Sequence, residues 1–425
     1  MIDTSWGAGV APGHARAPDG ELTIGGVGVR RLAQTYGTPL LAIDLDVLDA
    51  STRTFLAAAQ PAGIEVAYAA KAFFCVALGR HLAATALRFD VCSLGELVTA
   101  ERAGIAPERI VFHGCGKTRE ELAAIAARRA GVTVVDNADE LAALAALGSS
   151  ERPIEIVLRI NVGIETLTHS FVRTSGENTK FGFPLAVIDA LFARVAGLSG
   201  IRCGGLHSHL GSQIDEADAF VANLDVLVDV AARARRAGLP IERLIAGGGF
   251  AVEARPDLGT VDVAAIIARI AERAEPVPYR IGIEPGRSLV ARAGTSLYEV
   301  AAVKQAGDRR YVVVDGGIAD NPRPALYGAY HHPLVAFSNA GPATGPVTIC
   351  GRSCENDRLV EADLPLDLVP GDLVALCTTG AYTYAMASNY NRFGRPAVVF
   401  VGGGIARPAI ARESVEQTLE RDLDA

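Results

Sequence analysis

Glu65-Val-Ala-Tyr-Ala-Ala-Lys-Ala-Phe-Phe74 is a short apolar run broken by a single cation, Lys71. Read outward from it, the chain between about residues 40 and 290 alternates short β-branched runs with Ala- and Leu-rich stretches, the pattern of repeated βα units on a parallel sheet. Eight strands are expected: 65–70, 88–93, 109–113, 132–136, 154–161, 201–209, 244–248 and 279–284. Helical stretches lie between them, such as 118–130, where Thr118 with Glu121 three residues on is a helix-start signal. Eight such units predict a (β/α)8 barrel of the TIM type. Desolvation inside the apolar run would lower the pKa of Lys71 and favour the neutral amine that Schiff-base chemistry needs. A lysine that snorkels to the surface is the plainer alternative.

The 425 residues exceed one ordinary core, so two domains are expected at roughly 150 residues per domain, one of them a large barrel. After about residue 290 the character changes to strand-like runs broken by Gly, Pro and Asp, as in Tyr311-Val-Val-Val-Asp315 and Leu373-Val-Ala-Leu-Cys377. This predicts a C-terminal β-barrel or sandwich domain over 291–425 that also takes the Leu40 to Asp44 strand. The barrel is expected over 46–290, a joining strand segment over 25–45, and a mobile Gly-, Ala- and Pro-rich tail over 1–24.

Composition narrows the chemistry. The net charge of −8 argues against a nucleic-acid partner, and there is no apolar stretch of membrane-spanning length. Seven cysteines, at 75, 92, 115, 203, 350, 354 and 377, make neither a close-spaced zinc pattern nor a disulfide framework, which suits a reducing, cytoplasmic setting. A small-molecule substrate is the expected partner.

In a (β/α)8 barrel, function sits at the C-terminal ends of the strands. Lys71 follows the first. The sixth delivers His207-Ser-His-Leu-Gly-Ser-Gln213, where His209 could lie against a flat ring and Ser212 could donate to a phosphate. The seventh ends in Gly247-Gly-Gly249, either a bare tight turn or a nest of backbone N–H groups for an anion. The eighth ends in Glu284-Pro-Gly-Arg287, a carboxylate followed by more backbone donors and a guanidinium. A lysine, a ring-stacking histidine, a phosphate nest and a lone carboxylate are the fittings pyridoxal phosphate requires, the carboxylate holding the pyridine nitrogen protonated. No metal is expected. His113 and His169, near strand ends or loops, receive no role.

These residues are joined by Tyr68-Ala-Ala-Lys-Ala72, Phe89-Asp-Val-Cys-Ser-Leu-Gly-Glu96, Gly247 to Phe250, Asp315-Gly-Gly-Ile-Ala-Asp-Asn-Pro-Arg-Pro-Ala-Leu-Tyr327, Cys354-Glu355, Gly380-Ala-Tyr382 and Ser388-Asn-Tyr-Asn391. In this order, from about residue 25 to 405, they resemble the diaminopimelate decarboxylase family within the alanine-racemase-like, barrel-type pyridoxal phosphate enzymes. The resemblance implies that Lys71 is the Schiff-base lysine and that His209 stacks on the cofactor. It implies that Ser212, Gly249 and the backbone of Glu284, Pro285, Gly286 and Arg287 hold the phosphate, with the Glu284 side chain at the pyridine nitrogen and Tyr382 touching the cofactor. It gives Arg287, Arg323, Tyr327, Glu355 and Tyr382 to the substrate, and Cys354 to the delivery of a proton. It also implies a homodimer in which Cys354-Glu355 reaches the partner's site. Without the motif, Cys354 reads as an ordinary buried thiol and Arg323 as a solvated turn residue. Asn356 stands where the family usually has a serine or another small residue, Cys115-Gly116 where asparagines are usual, and Ile318 where methionine is common.

The implied activity is the decarboxylation of meso-2,6-diaminopimelate to L-lysine. Other readings on the same barrel are an amino-acid racemase, against which Glu284 argues, and a decarboxylase of ornithine, lysine or a carboxylated polyamine, which has less use for Arg323 and Glu355 together. A silent, cofactor-binding regulator fits poorly with Lys71, Cys354 and Glu284 all present. From another class, a metal-dependent amidohydrolase would use His207 and His209 as paired ligands.

Overall fold

The computed structural model describes residues 11–164, 179–258, 260–341 and 343–423. The chain forms two compact units, one of 53–251 with 261–288, the other of 1–52 with 252–260 and 289–425. The short excursion 252–260 goes with the second unit, where the sequence placed it inside the barrel.

The first unit is the barrel. Its strands are β1 (Glu65–Ala69), β2 (Arg88–Val91), β3 (Ile110–Phe112), β4 (Val132–Val135), β5 (Ile154–Asn161), β6 (Ile201–His207), β7 (Arg243–Ile245) and β8 (Arg280–Ile283), each overlapping one of the eight expected runs. All pair in parallel in chain order, and β8 closes on β1 with Gly282 opposite Glu65 and Ile283 opposite Val66. Val111, Val132, Val134, Val157 and Ile245 form a buried apolar cluster contributed by β3, β4, β5 and β7, the packed interior such barrels use.

Local chemistry starts the connecting helices. The Ser93 hydroxyl accepts from the N–H of Glu96 at the head of Leu94–Arg102, and Asn137 accepts from Asp139 and Glu140 at the head of Ala138–Leu147. Thr118 and Glu121 make the full capping box of helix Arg119–Ala126. That helix ends before residue 130 because Arg128 turns left-handed, at φ 63°.

The second unit is β-rich. Its centre is the long strand Gly294–Ala306, antiparallel to Leu40–Asp44, Arg309–Val314 and Leu373–Cys377. Leu40–Asp44, buried throughout, also pairs in parallel with Ala397–Gly402. The expected N-terminal tail is partly built in. His14–Arg16, Leu22–Ile24 and Val27–Gly28 form a three-stranded sheet, and Leu22, Ile24 and Val27 are buried in the core with Leu297, Ala375 and Val399. Strands of two and three residues are too short to show a period, so the Gly-rich composition hid them. Among the described residues no helix is long and apolar enough to cross a membrane.

Candidate active site

The expected site residues fall into two groups, one on each unit. On the barrel, Lys71 sits in a 3-10 turn, Ala70–Ala72, directly after β1. Ala70 and Ala72 are buried, but Lys71 itself is exposed, which of the two readings left open by the sequence is the lysine that reaches the surface. The Tyr68 hydroxyl pins this turn by donating to the Phe73 carbonyl at 2.5 Å. Lys71 acts electrostatically on Asp90, Glu96 and His209, so its charge belongs to the same end of the barrel.

The glycines after β7 are required by close backbone approach. A Cβ on Gly248 would meet the Glu284 carbonyl oxygen at 2.0 Å, and one on Gly249, itself at φ +100°, the Gly211 carbonyl oxygen at 2.4 Å. The Glu284 N–H donates to the Gly247 carbonyl at 2.8 Å, and the N–H of Gly248 donates to Nδ1 of His209 at 3.1 Å. With Nδ1 accepting, the neutral ring of His209 carries its proton on Nε2. Burial, then the Lys71 charge, hold its pKa well below the usual histidine range. His209 is only half-buried by surface, so part of its ring is open. Arg287 donates through Nη2 to Ser212 Oγ at 3.1 Å, and a Cβ on Gly286 would crowd Ala69 at 3.0 Å. Ser212, Gly249, Pro285, Gly286 and Arg287 thus come from loops after β6, β7 and β8 that touch through their backbones.

Glu284 is buried beneath them. One carboxylate oxygen accepts from Nε2 of His207 at 3.0 Å. The other lies 2.9 Å from Nε2 of His113, without the alignment of a good hydrogen bond. Asp90 stands 3.6 Å from that same nitrogen. The two imidazoles meet edge to face, with centroids 5.1 Å apart. Burial alone would raise the Glu284 pKa, but the two histidines outweigh it and hold it well below the carboxylate range. Burial also works on His113, yet Asp90 and Glu284 outweigh it and raise its pKa. His207 has one carboxylate neighbour rather than two, and burial brings it down to about 4. Burial raises Asp90 to about 6 against the pull of His113.

Lys117 fixes the loop that carries His113. Its buried ammonium donates to the carbonyls of Gly114 and Val134, both at 2.8 Å, and to the Glu140 carboxylate at 3.0 Å. Nearby, the buried Arg159 of β5 lies 3.4 Å from Asp136 and over the Phe181 ring. His169 falls outside the described residues.

On the β unit, Arg323 and Tyr327 occupy the short helix Arg323–Tyr327, and Arg323 donates to the Ala381 carbonyl beside Tyr382 at 3.5 Å. Tyr382 is left-handed at φ 61°, a conformation that costs a non-glycine residue and recurs at functional positions. Cys354 and Glu355 are exposed, so the buried-thiol alternative for Cys354 does not hold. The Cys354 N–H donates to Asn391 Oδ1 at 3.1 Å, and the Tyr390 hydroxyl donates to the Glu355 carboxylate at 2.6 Å. Behind them the buried Asp357 accepts from Ser353 Oγ at 2.8 Å and from the Ile318 N–H at 3.0 Å. The Ser388 N–H donates to the Ala319 carbonyl, which ties the 315–327 and 380–391 segments together. Asn356 is exposed.

Sequence reading passed over His113, Asp90, Arg159, Tyr390 and Asp357 as participants. His113 and Asp90 were findable, since both stand at barrel strand ends, where function concentrates. His113, His207 and Glu284 could by donor type hold a metal ion, their ligand atoms lying within 4.8 Å of one another. That trio excludes His209, so the His207/His209 pair of the amidohydrolase reading is not the metal-capable set among the described residues. The glycine turns, the ionised carboxylate at a strand end and the half-open neutral imidazole instead fit pyridoxal phosphate.

Comparison with known proteins agrees. Residues 48–291 match the family described as "Pyridoxal-dependent decarboxylase, pyridoxal binding domain". The chain is 42% identical to a diaminopimelate decarboxylase of Actinosynnema pretiosum, over 98% of this chain and 95% of that one. It is 40% identical to the Bacillus subtilis enzyme of the same name, over 95% of each. A diaminopimelate decarboxylase structure from M. jannaschii in complex with L-lysine superposes with TM-score 0.89 at 28% identity, covering 97% of this chain and 98% of that one. A lysine/ornithine decarboxylase from Vibrio vulnificus complexed with cadaverine gives 0.77 at 25% identity, over 88% and 97%. The barrel, its pyridoxal-binding fittings and this breadth of likeness place the chain in the diaminopimelate decarboxylase family of pyridoxal phosphate-dependent enzymes.

Proposed function

We propose that this chain removes the carboxyl group from the D-centre of meso-2,6-diaminopimelate, giving L-lysine and carbon dioxide, as a cytoplasmic homodimer. The buried, ionised Glu284 carries the reading. When bound, pyridoxal phosphate supplies the electron sink for the bond that breaks. Lys71 would hold it through its aldehyde. Glu284, as a carboxylate, would accept a hydrogen bond from the protonated pyridine nitrogen and so keep it charged, His209 would pack on the ring, and Tyr382 would contact it. Ser212, Gly249 and the backbone of Glu284 to Arg287 hold the phosphate. The guanidinium groups of Arg287 and Arg323 suit carboxylates and Glu355 suits an ammonium, so with Tyr327 and Tyr382 they recognise a substrate with a second amino-acid group at its far end. Cys354 delivers the proton to the carbon that lost carbon dioxide. Its exposure, with that of Glu355, suits a segment that serves the partner subunit's site.

Mass spectrometry of products decides the matter, with the cofactor-loaded protein given meso-diaminopimelate, lysine, ornithine or arginine in parallel. Lysine from diaminopimelate alone is expected. Cadaverine, putrescine or agmatine with diaminopimelate untouched overturns the substrate, and unchanged turnover in Lys71→Ala overturns the role of Lys71.

A further inference from the structure

We propose that His113 and His207 are positioning residues for Glu284, with His113, held between Asp90 and Glu284, carrying the cluster's one proton and His207 serving as a neutral donor. Glu284 can hold a pyridinium proton only while ionised, and a buried carboxylate left alone takes up a proton instead. Here each of its oxygens faces an imidazole Nε2, at 2.9 and 3.0 Å.

The two imidazoles are not equivalent. His113 has a second carboxylate, Asp90, at 3.6 Å, and two anions favour an imidazolium between them. His207 donates from Nε2 to Glu284, and its buried Nδ1 has no hydrogen-bond partner among the described residues, the arrangement of a neutral ring. The other charges bearing on the cluster are Lys71 after β1, Glu96 after β2 and Arg159 from β5, with His209 after β6 neutral. Only Glu96 among these favours a charged His113, so the proton depends on Asp90 and Glu284. The cluster then reads Asp90 negative, His113 positive, Glu284 negative and His207 neutral, one net negative charge that the pyridinium nitrogen cancels.

This inference rests on the proposed contact of Glu284 with that nitrogen. The test measures pyridoxal phosphate affinity by absorbance, on protein stripped of cofactor and reconstituted, between pH 6 and 8.5. The readout is the ratio of each variant's Kd to that of wild type, which removes the cofactor's own titration. In His113→Gln, Glu284 takes up a proton as the pH falls, so the ratio is near one at pH 8.5 and rises several-fold by pH 6, by at most about tenfold per pH unit. Asp90→Asn, which keeps both imidazoles, moves the ratio in the same direction by less, and it serves where His113→Gln does not fold. A ratio constant across pH in the folded variants means His113 is only structural, and overturns the proposal. Glu284→Gln separates the two claims. Wild-type affinity and turnover in Glu284→Gln sink the pyridine contact itself, whereas a damaged Glu284→Gln beside a flat His113→Gln ratio sinks only the inference.

Discussion

Lys117→Met tests whether one buried ion pair holds up the loop that presents His113. The Lys117 side chain is only 1% exposed and Glu140 5%, and the ammonium spends its three donors on two carbonyls and this carboxylate. Methionine keeps most of the volume, so the loss is electrostatic. Glu140 stays buried with only the N–H groups of Lys117 and Asp136, at 3.1 and 3.3 Å. Breaking a buried pair from one side costs about 3–5 kcal/mol. At ~2–4 °C per kcal/mol for a unit of this size, the barrel transition should fall by roughly 6–20 °C. Circular dichroism at 222 nm suits the assay, because most helix belongs to the barrel. Adding Glu140→Gln removes the stranded charge and should recover at least half of the loss. A drop below about 3 °C, or a double variant no better than the single one, refutes the reasoning.

Gly248→Ala should sharply weaken cofactor binding and cost ~1–3 kcal/mol of stability, since the new Cβ meets the Glu284 backbone oxygen rather than a side chain that can move; absorbance titration and a melt check both. Tyr390→Phe should raise KM for diaminopimelate several-fold with kcat and cofactor affinity little changed, because it releases the Glu355 carboxylate alone; steady-state kinetics reads this. His207 makes cofactor-free protein acid-sensitive. Its folded pKa of about 4 lies below the unfolded 6.5, so the unfolded chain takes up the proton first and stability falls between pH 6.5 and 4 by up to about 3 kcal/mol. Asp90, raised to about 6, gains stability as pH falls through 6 and opposes this, so urea midpoints from pH 7.5 to 4.5 are compared between wild type and His207→Gln, which should lose the His207 slope.

The barrel was legible because its strands are short β-branched runs at regular spacing, and because Thr118 and Glu121 mark a helix start that the backbone then uses. Gly247-Gly-Gly249 remained open between a turn and a nest, since the oxygens that forbid a side chain there come from Gly211 and Glu284, remote in sequence. For Lys71 the apolar run left burial and surface exposure both open, and the 3-10 turn after β1 exposes it. The strand-end place of His113 marked it as a candidate, but its partners show only in three dimensions. Nothing near it in the chain announces that β2, β6 and β8 will set Asp90, His207 and Glu284 around one ring. Residues 252–260 read as barrel because chain order is all a sequence offers, and their packing goes elsewhere.

The placement of Leu40–Asp44 bears on how the chain is made. Both strands that flank it, Gly294–Ala306 and Ala397–Gly402, leave the ribosome long after it does. At about 5–20 residues per second, the wait from residue 44 to residue 294 is on the order of tens of seconds. Throughout that interval Leu40–Asp44, four apolar residues and one aspartate, has neither ladder partner, and every strand of the barrel is synthesised before the interval ends. Newborn chains therefore pass through a stage with a finished barrel and an unpaired sticky edge, and chaperone demand in the cell should concentrate there.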